Sequence, residues 1–317
     1  MEACDGLVHD GMFPTKVGLP LPPMSRNALP WIIFSGLVLV WGSSFILMKI
    51  ALDGFTGVQI GALRLIFAAL FITVVAWPAR HEFQRRDIGS IIIVGLFGNS
   101  IPYLLFPVAV GHIPSGLVGV ANSTTPLFAL IIGALAFSRK MNVNNTMGVI
   151  IGLIGGLVLL NPFNLDTEVG REWPYLMMAI SAAACYGLSV NTMGSKLPHL
   201  SPRAMTLLAM WVAAIPSAGI LIATEFWTQF DGSIAVSKAV SSVAFLGIVG
   251  TGVAMILFTR LIHMTSALMG ASTTYFIPIV ALAWGLLDGE NLLWNHYLGM
   301  AAILVGVYLV NRRGKEA

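Results

Sequence analysis

Residues 120–130 read VANSTTPLFAL, and residues 271–282 read ASTTYFIPIVAL. Each places hydroxyls and a proline halfway along an apolar stretch long enough to cross a bilayer. Polar groups at that depth need a partner from protein, water or solute, so the two stretches raise the same question some 150 residues apart.

The surroundings set the fold class. Of 317 residues, 57% are hydrophobic and 10% charged, with a mean hydropathy of +0.86, which no ordinary soluble domain shows. About 20 apolar residues cross the roughly 30 Å hydrocarbon core as a helix. Ten such runs are predicted, at 31–52, 57–78, 88–111, 114–137, 146–162, 173–194, 203–225, 239–262, 266–287 and 292–310. They are continuously apolar, unlike the alternating strands of a membrane β-barrel, so an all-α membrane protein is expected. The 33 glycines suit close helix packing, as in Gly148-x-x-x-Gly152.

Residues 1–28 carry acids and prolines where a signal peptide needs basic and apolar regions, and read as a mobile cytosolic tail, with Met24 as an alternative start. Cys4 and Cys185 are too few for a disulfide framework or a cysteine metal site. Counting tails and even-numbered loops gathers 13 of the 17 Lys and Arg residues, including Arg85, Arg86, Arg203 and the basic C-terminal tail at 312–317. Cations favour the cytoplasmic side, so both termini are expected there. The net charge of +3 then follows from topology, and no nucleic-acid partner is implied.

A shift of 152 residues pairs Gly95 with Gly247, Gly98 with Gly250, Phe106 with Phe258 and Pro126 with Pro278. A shift of 145 pairs Trp41-Gly42 with Tyr186-Gly187. The chain therefore divides into repeats at 29–165 and 166–311, each of five helices. An odd number of crossings inverts the second repeat, the construction of many secondary transporters, whose solute site lies near the bilayer midplane between the halves.

The two opening stretches fall at that interface. Pro126 and Pro278 remove backbone hydrogen bonds and release the carbonyls of Asn122 and Thr274, again 152 residues apart. At 1.5 Å per residue Pro126 lies about 18 Å into its helix, near the midplane. Ser123, Thr124, Thr125, Ser272 and Thr273 are expected mainly to bond back to their own helices. A solute cavity is predicted from Asn122, Thr274 and Tyr275, together with Trp41, Ser44, Asn99, Tyr103, Tyr186, Asn191 and Thr251. Lys49 and Arg64 lie in the outer thirds of their helices; each either snorkels, with Asp53 one turn from Lys49, or meets a substrate carboxylate. Pro102 and Pro107 are expected to bend the third helix, with no counterpart in the eighth.

The segment WGSSFILMKIALDGFTGVQIGALRLIFAALFI, residues 41–72, resembles the opening signature of the EamA family in the drug/metabolite transporter superfamily: Trp41-Gly42-Ser43-Ser44, then Leu63-Arg64. Gly289-Glu290 resembles the family's ending of the ninth helix, whereas AFSRK at 136–140 departs from the same ending in the fourth. The resemblance covers residues 30–311. It implies ten helices as two inverted repeats around a central cavity, and commonly export of amino acids, other small metabolites or drugs.

A secondary transporter, placed in a bacterial inner membrane, is thus the leading expectation, with a small organic solute and membrane lipid as partners and no cofactor or metal. The alternatives are a proton-coupled drug efflux carrier and, from other classes, a channel or a membrane enzyme. An enzyme would need a nucleophile with its base, or clustered metal ligands, and the six histidines fall in tails, loops or helix ends.

Overall fold

The computed structural model describes residues 28–138, 141–160, 173–265 and 267–311; the described residues form helices and short connections, without strands. The expected tails, apart from Ala28, lie outside this description, as do residues 139–140 and the side chains of His263 and Ser272. In chain order the helices are α1 Leu29–Ala51, α2 Gly57–Glu82, α3 Arg85–Val110, α4 Ser115–Phe137, α5 Val143–Leu160, α6 Trp173–Lys196, α7 Pro202–Ala223, α8 Ile234–Ile262, α9 Ala267–Leu287 and α10 Trp294–Asn311. Seven of them, α1–α4 and α6–α8, are long and apolar enough to cross a membrane. The apolar described stretches of the other three are shorter: Val143–Val158, Thr273–Leu287 and Trp294–Val310.

Local chemistry sets the helix starts. Thr56 and Gln59 cap α2 reciprocally, with Gln59 N donating to Thr56 Oγ1 (3.4 Å) and Thr56 N to Gln59 Oε1 (2.9 Å). Gln59 Nε2 also reaches Thr224 O at the end of α7 (3.3 Å). Ser201 and Ser233 cap α7 and α8 through Ala204 N and Val236 N, both at 3.2 Å.

Glycines fix how the helices cross. A Cβ on Gly42 would lie 2.5 Å from Val280 Cβ of α9, and one on Gly187 would lie 2.7 Å from Ala129 N of α4. Likewise a Cβ on Gly95 would lie 2.9 Å from Ala209 O of α7, and one on Gly247 would lie 2.7 Å from Arg64 O of α2. So α1 crosses α9 as α6 crosses α4, and α3 crosses α7 as α8 crosses α2. The residues met obey the offsets of the sequence: Ala209 is Arg64 shifted by 145, and Val280 is shifted by 152 from Phe128, whose carbonyl carbon would lie 2.8 Å from a Cβ on Gly187.

A close glycine–glycine contact joins α5 and α10, where a Cβ on Gly148 would lie 2.6 Å from Gly306 O and one on Gly306 2.5 Å from Gly148 O. Gly156 on the same helix has nothing within 4 Å of that position. Gly148→Val is therefore expected to lower the detergent melting temperature by about 5 °C or more, through overpacking against backbone that cannot move aside. Gly156→Val should cost far less; equal losses would show that the contact is not the cause.

Candidate functional site

Two local widenings shape the centre of the bundle. Helix α3 opens into a π turn at Leu96–Ser100 and α8 into another at Ile248–Val253. Such turns disturb the regular backbone ladder and recur at functional sites. In each a polar side chain takes up a carbonyl five residues back: Asn99 Nδ2 donates to Val94 O (3.3 Å) and Thr251 Oγ1 to Leu246 O (3.1 Å). Asn99 with Thr251, and Val94 with Leu246, again differ by 152. Helix α8 has no counterpart of Pro102 and Pro107, as read from the sequence, yet it carries the same π turn as α3. Trp41 Nε1 reaches into the second π turn and donates to Gly250 O (3.1 Å).

Helix α4 breaks where VANSTTPLFAL suggested. Its segments are Ser115–Asn122 and Thr125–Phe137, with Pro126 in the first turn of the second, where a missing N–H costs little. The Asn122 carbonyl is not left for a solute, since Thr125 Oγ1 donates to it at 2.8 Å, which corrects that part of the reading. Ser123, Thr124 and Thr273 bond back to Val120 O, Ala121 O and Gly270 O at 2.6–2.7 Å, as expected. Pro278 stays inside a continuous α9.

A cavity of about 510 Å³ lies between these elements, and its wall includes Trp41, Ser44, Arg64, Asn99, Tyr103, Asn122, Tyr186, Thr251 and Thr274. This volume suits a small organic molecule. Asn122 Oδ1 is buried and has no hydrogen-bond partner among the described residues. Arg64 is 6% exposed, donates from Nε to Thr251 Oγ1 (3.3 Å) and lies 4.2 Å from the centre of the Tyr103 ring. The wall also holds residues that the sequence reading missed, notably Met48, Met193, Met205, Met210 and Met255, with Phe45, Phe106 and Phe258. Met48 and Met193 stand seven residues after Trp41 and Tyr186, two turns along the same faces, and that spacing was the available signal.

Three expected residues are elsewhere. Tyr275 turns away, and its hydroxyl donates to Val307 O of α10 (2.9 Å). Asn191 is fully buried and ties α6 to α4 by donating to Ala129 O (2.6 Å). Lys49 pairs not with Asp53 but with Asp288 (2.6 Å) and Glu290 (2.9 Å), at one end of the bundle.

That end is closed by more than the ion pair. The Glu290 side chain, 3% exposed, also accepts from Ser115 N (2.9 Å) and Gly116 N (3.1 Å) at the start of α4. A carboxylate there complements the helix dipole. Burial pushes the Glu290 carboxyl up, but the Lys49 ammonium and the two amides outweigh it and hold the group below the usual glutamate range. Towards the opposite end, a second cavity of about 800 Å³ shares Pro202, Thr206 and Met255 with the first, and Arg203 and Arg260 line it.

Comparison with known proteins matches the model of the EamA-like transporter family to residues 29–161 and 173–312. The chain belongs to the EamA-like transporter family. It is a multi-pass membrane protein, and it is 26% identical to an "Uncharacterized transporter" of Archaeoglobus fulgidus, over 89% of this chain and 99% of the relative. It is 24% identical to a "Probable amino-acid metabolite efflux pump" of Escherichia coli (86% of this chain, 91% of the relative), and 24% identical to the "Uncharacterized inner membrane transporter YedA" of the same species (86% and 88%). A solved crystal structure of 17% identity shares the fold, with a TM-score of 0.57 over 89% of this chain and 96% of the other.

The structure gives the EamA signature physical content in this chain. Trp41 holds the α8 π turn, Gly42 admits α9, Ser43 Oγ accepts from Trp284 Nε1 of α9 (2.8 Å), and Ser44 bonds back to Val40 O (3.0 Å) beside the cavity. Arg64 supplies the wall's buried charge, and Glu290 closes one end.

Proposed function

We propose that this transporter moves a small organic metabolite, an amino acid or similar neutral or zwitterionic solute, outward or in exchange by alternating access. The observation that carries the reading is the cavity itself: one chamber, walled at equivalent points of both halves by Trp41 and Tyr186, Ser44 and Ser189, Asn99 and Thr251, and Asn122 and Thr274. Ten membrane crossings in two inverted five-helix repeats, 29–165 and 166–311, account for this pairing. The matched glycine crossings and the two stretches matched by the family model support the same division.

With both termini cytoplasmic, as the distribution of Lys and Arg favours, the Lys49 end faces outward and the Arg203–Arg260 end inward. The conformation is then closed outside by Glu290 and approached from the cytoplasm. A bacterial inner membrane is the assigned location, in keeping with the relative YedA. Export of an amino-acid metabolite is in keeping with the name of the Escherichia coli efflux pump.

Counterflow tests the proposal. Proteoliposomes preloaded with unlabelled amino acid should take up the labelled compound transiently, with saturation and trans-stimulation. Flux that rises linearly with concentration and ignores the solute inside would point to a channel and sink the carrier. Asn122→Leu should lower this flux about tenfold or more while leaving the melting temperature unchanged or slightly higher, because it removes a buried acceptor that has no partner among the described residues. Wild-type flux from the folded variant would remove Asn122 from the site.

A further inference from the structure

The two halves build the cavity with one shape but not one chemistry. On the assumption that the proposed repeats are correct, each wall residue has a counterpart at an offset of 145 or 152. Most pairs conserve character: Met48 with Met193, Phe106 with Phe258, Ser44 with Ser189. Three do not: Thr125 corresponds to Ile277, and the other two positions are neighbours in space. Arg64 corresponds to Ala209, and Tyr103 to Met255, and all four line the cavity.

Arg64 is a permanent cation. A guanidinium has five N–H donors, and among the described residues this one uses only Nε, while no carboxylate lies within ion-pair distance. The Tyr103 ring face offsets part of the cost of burial, yet the two terminal nitrogens, which form the fork that fits a carboxylate, have no described hydrogen-bond partner. At the corresponding positions of the other half stand a methyl group and a thioether. Met255 belongs to a set of methionine walls that adapt to apolar shapes. The cytoplasmic approach carries Arg203 and Arg260, which would concentrate anions at its mouth.

We infer that the cavity is polarised. Arg64 receives the carboxylate of the solute, the methionine-lined part of the wall receives an apolar body, and an amine on the solute is not required. The recognised class is therefore monocarboxylates with a branched or bulky apolar body, amino acids among them. This rests on the transport reading and extends its solute from zwitterions to amine-free carboxylate anions. Arg64 is a specificity-determining residue.

Three probes of one shape separate the groups: L-leucine, 4-methylpentanoate, which lacks the amine, and L-leucinamide, which lacks the carboxylate. Binding to purified protein is read by thermal stabilisation, and transport by counterflow. Leucine and 4-methylpentanoate should stabilise the wild type, and leucinamide should be at least about tenfold weaker. Arg64→Gln should weaken the two carboxylates at least about tenfold and leave leucinamide where it was, with partial recovery in Arg64→Lys.

Leucinamide binding as well as leucine, an equal loss of all three probes in Arg64→Gln, or no stabilisation by any of them would overturn the assignment. Should Arg64→Gln not fold, modification of wild-type Arg64 by phenylglyoxal, read by mass spectrometry, replaces it. Protection by 4-methylpentanoate but not by leucinamide is expected, and equal or absent protection refutes the carboxylate contact. Carboxylate-selective binding without trans-stimulated flux would leave this site standing and defeat the carrier reading instead.

Discussion

Glu290→Ala is expected to open the Lys49 end of the protein, the outer one in the proposed orientation, and to abolish most transport. The carboxylate accepts three hydrogen bonds, from Lys49 Nζ and from the amides of Ser115 and Gly116, and removing it strands the two amides and leaves Lys49 with Asp288 alone. Breaking a buried charge cluster from one side costs about 3 kcal/mol, which is roughly a hundredfold in the balance between closed and open states. Lys49 is half-exposed and its pairing is screened accordingly, so Lys49→Met should do less than Glu290→Ala. Glu290→Gln, which can still accept from the amides, should lie between.

The readout is a cysteine placed at Met48, on the cavity wall, in a background with Cys4 and Cys185 replaced by serine. An impermeant thiol reagent added outside should label it slowly in the parent and many times faster in the Glu290 variants. Unchanged labelling with a lower melting temperature would make the cluster a structural staple of α4 and not a gate. The pH dependence follows from the sign of the shift. A carboxyl whose folded value is depressed contributes its full stability above its unfolded value of about 4.3, and loses it as the pH falls through the lower folded value. Acidifying the outside to about pH 5.5 should therefore leave the end closed.

The same cluster marks where sequence reading stopped. Hydropathy gave the helices because nothing but a helix satisfies a lone backbone in lipid, and the spacing of polar residues found most of the cavity because the two halves repeat one pattern. Lys49 was read beside Asp53, the one acid that local spacing offered, yet its partners lie some 240 residues away. Thr274 and Tyr275 illustrate a second limit. Successive helical residues point about 100° apart, so a stretch read as polar delivers one residue to the cavity and turns the next toward α10. The π turns were hidden for a third reason. Their glycines served as landmarks of the repeat, but no local propensity distinguishes a π turn from an ordinary packing glycine.

Energy coupling is the last expected result, and the wall of the cavity argues it. A proton-coupled carrier generally holds a carboxyl or an imidazole where solute and proton compete. Among the described residues the cavity wall carries one charged side chain, Arg64, and no carboxyl or imidazole. Glu290, the nearly buried acid at the closed end, is held below the range in which a physiological gradient could load it. In sealed proteoliposomes flux should therefore persist without a pH gradient, and an imposed pH gradient should drive no uphill accumulation.

The electrical gradient separates the solutes. A monocarboxylate without an amine carries net charge outward from an inside-negative cell, and about 2.3 kcal/mol per 100 mV favours its exit. A zwitterion moves without that assistance. Clamping the potential with potassium and valinomycin should change the flux of 4-methylpentanoate and leave that of leucine unaffected. Accumulation driven by protons alone and abolished by a protonophore would show that a titrating group takes part in the cycle.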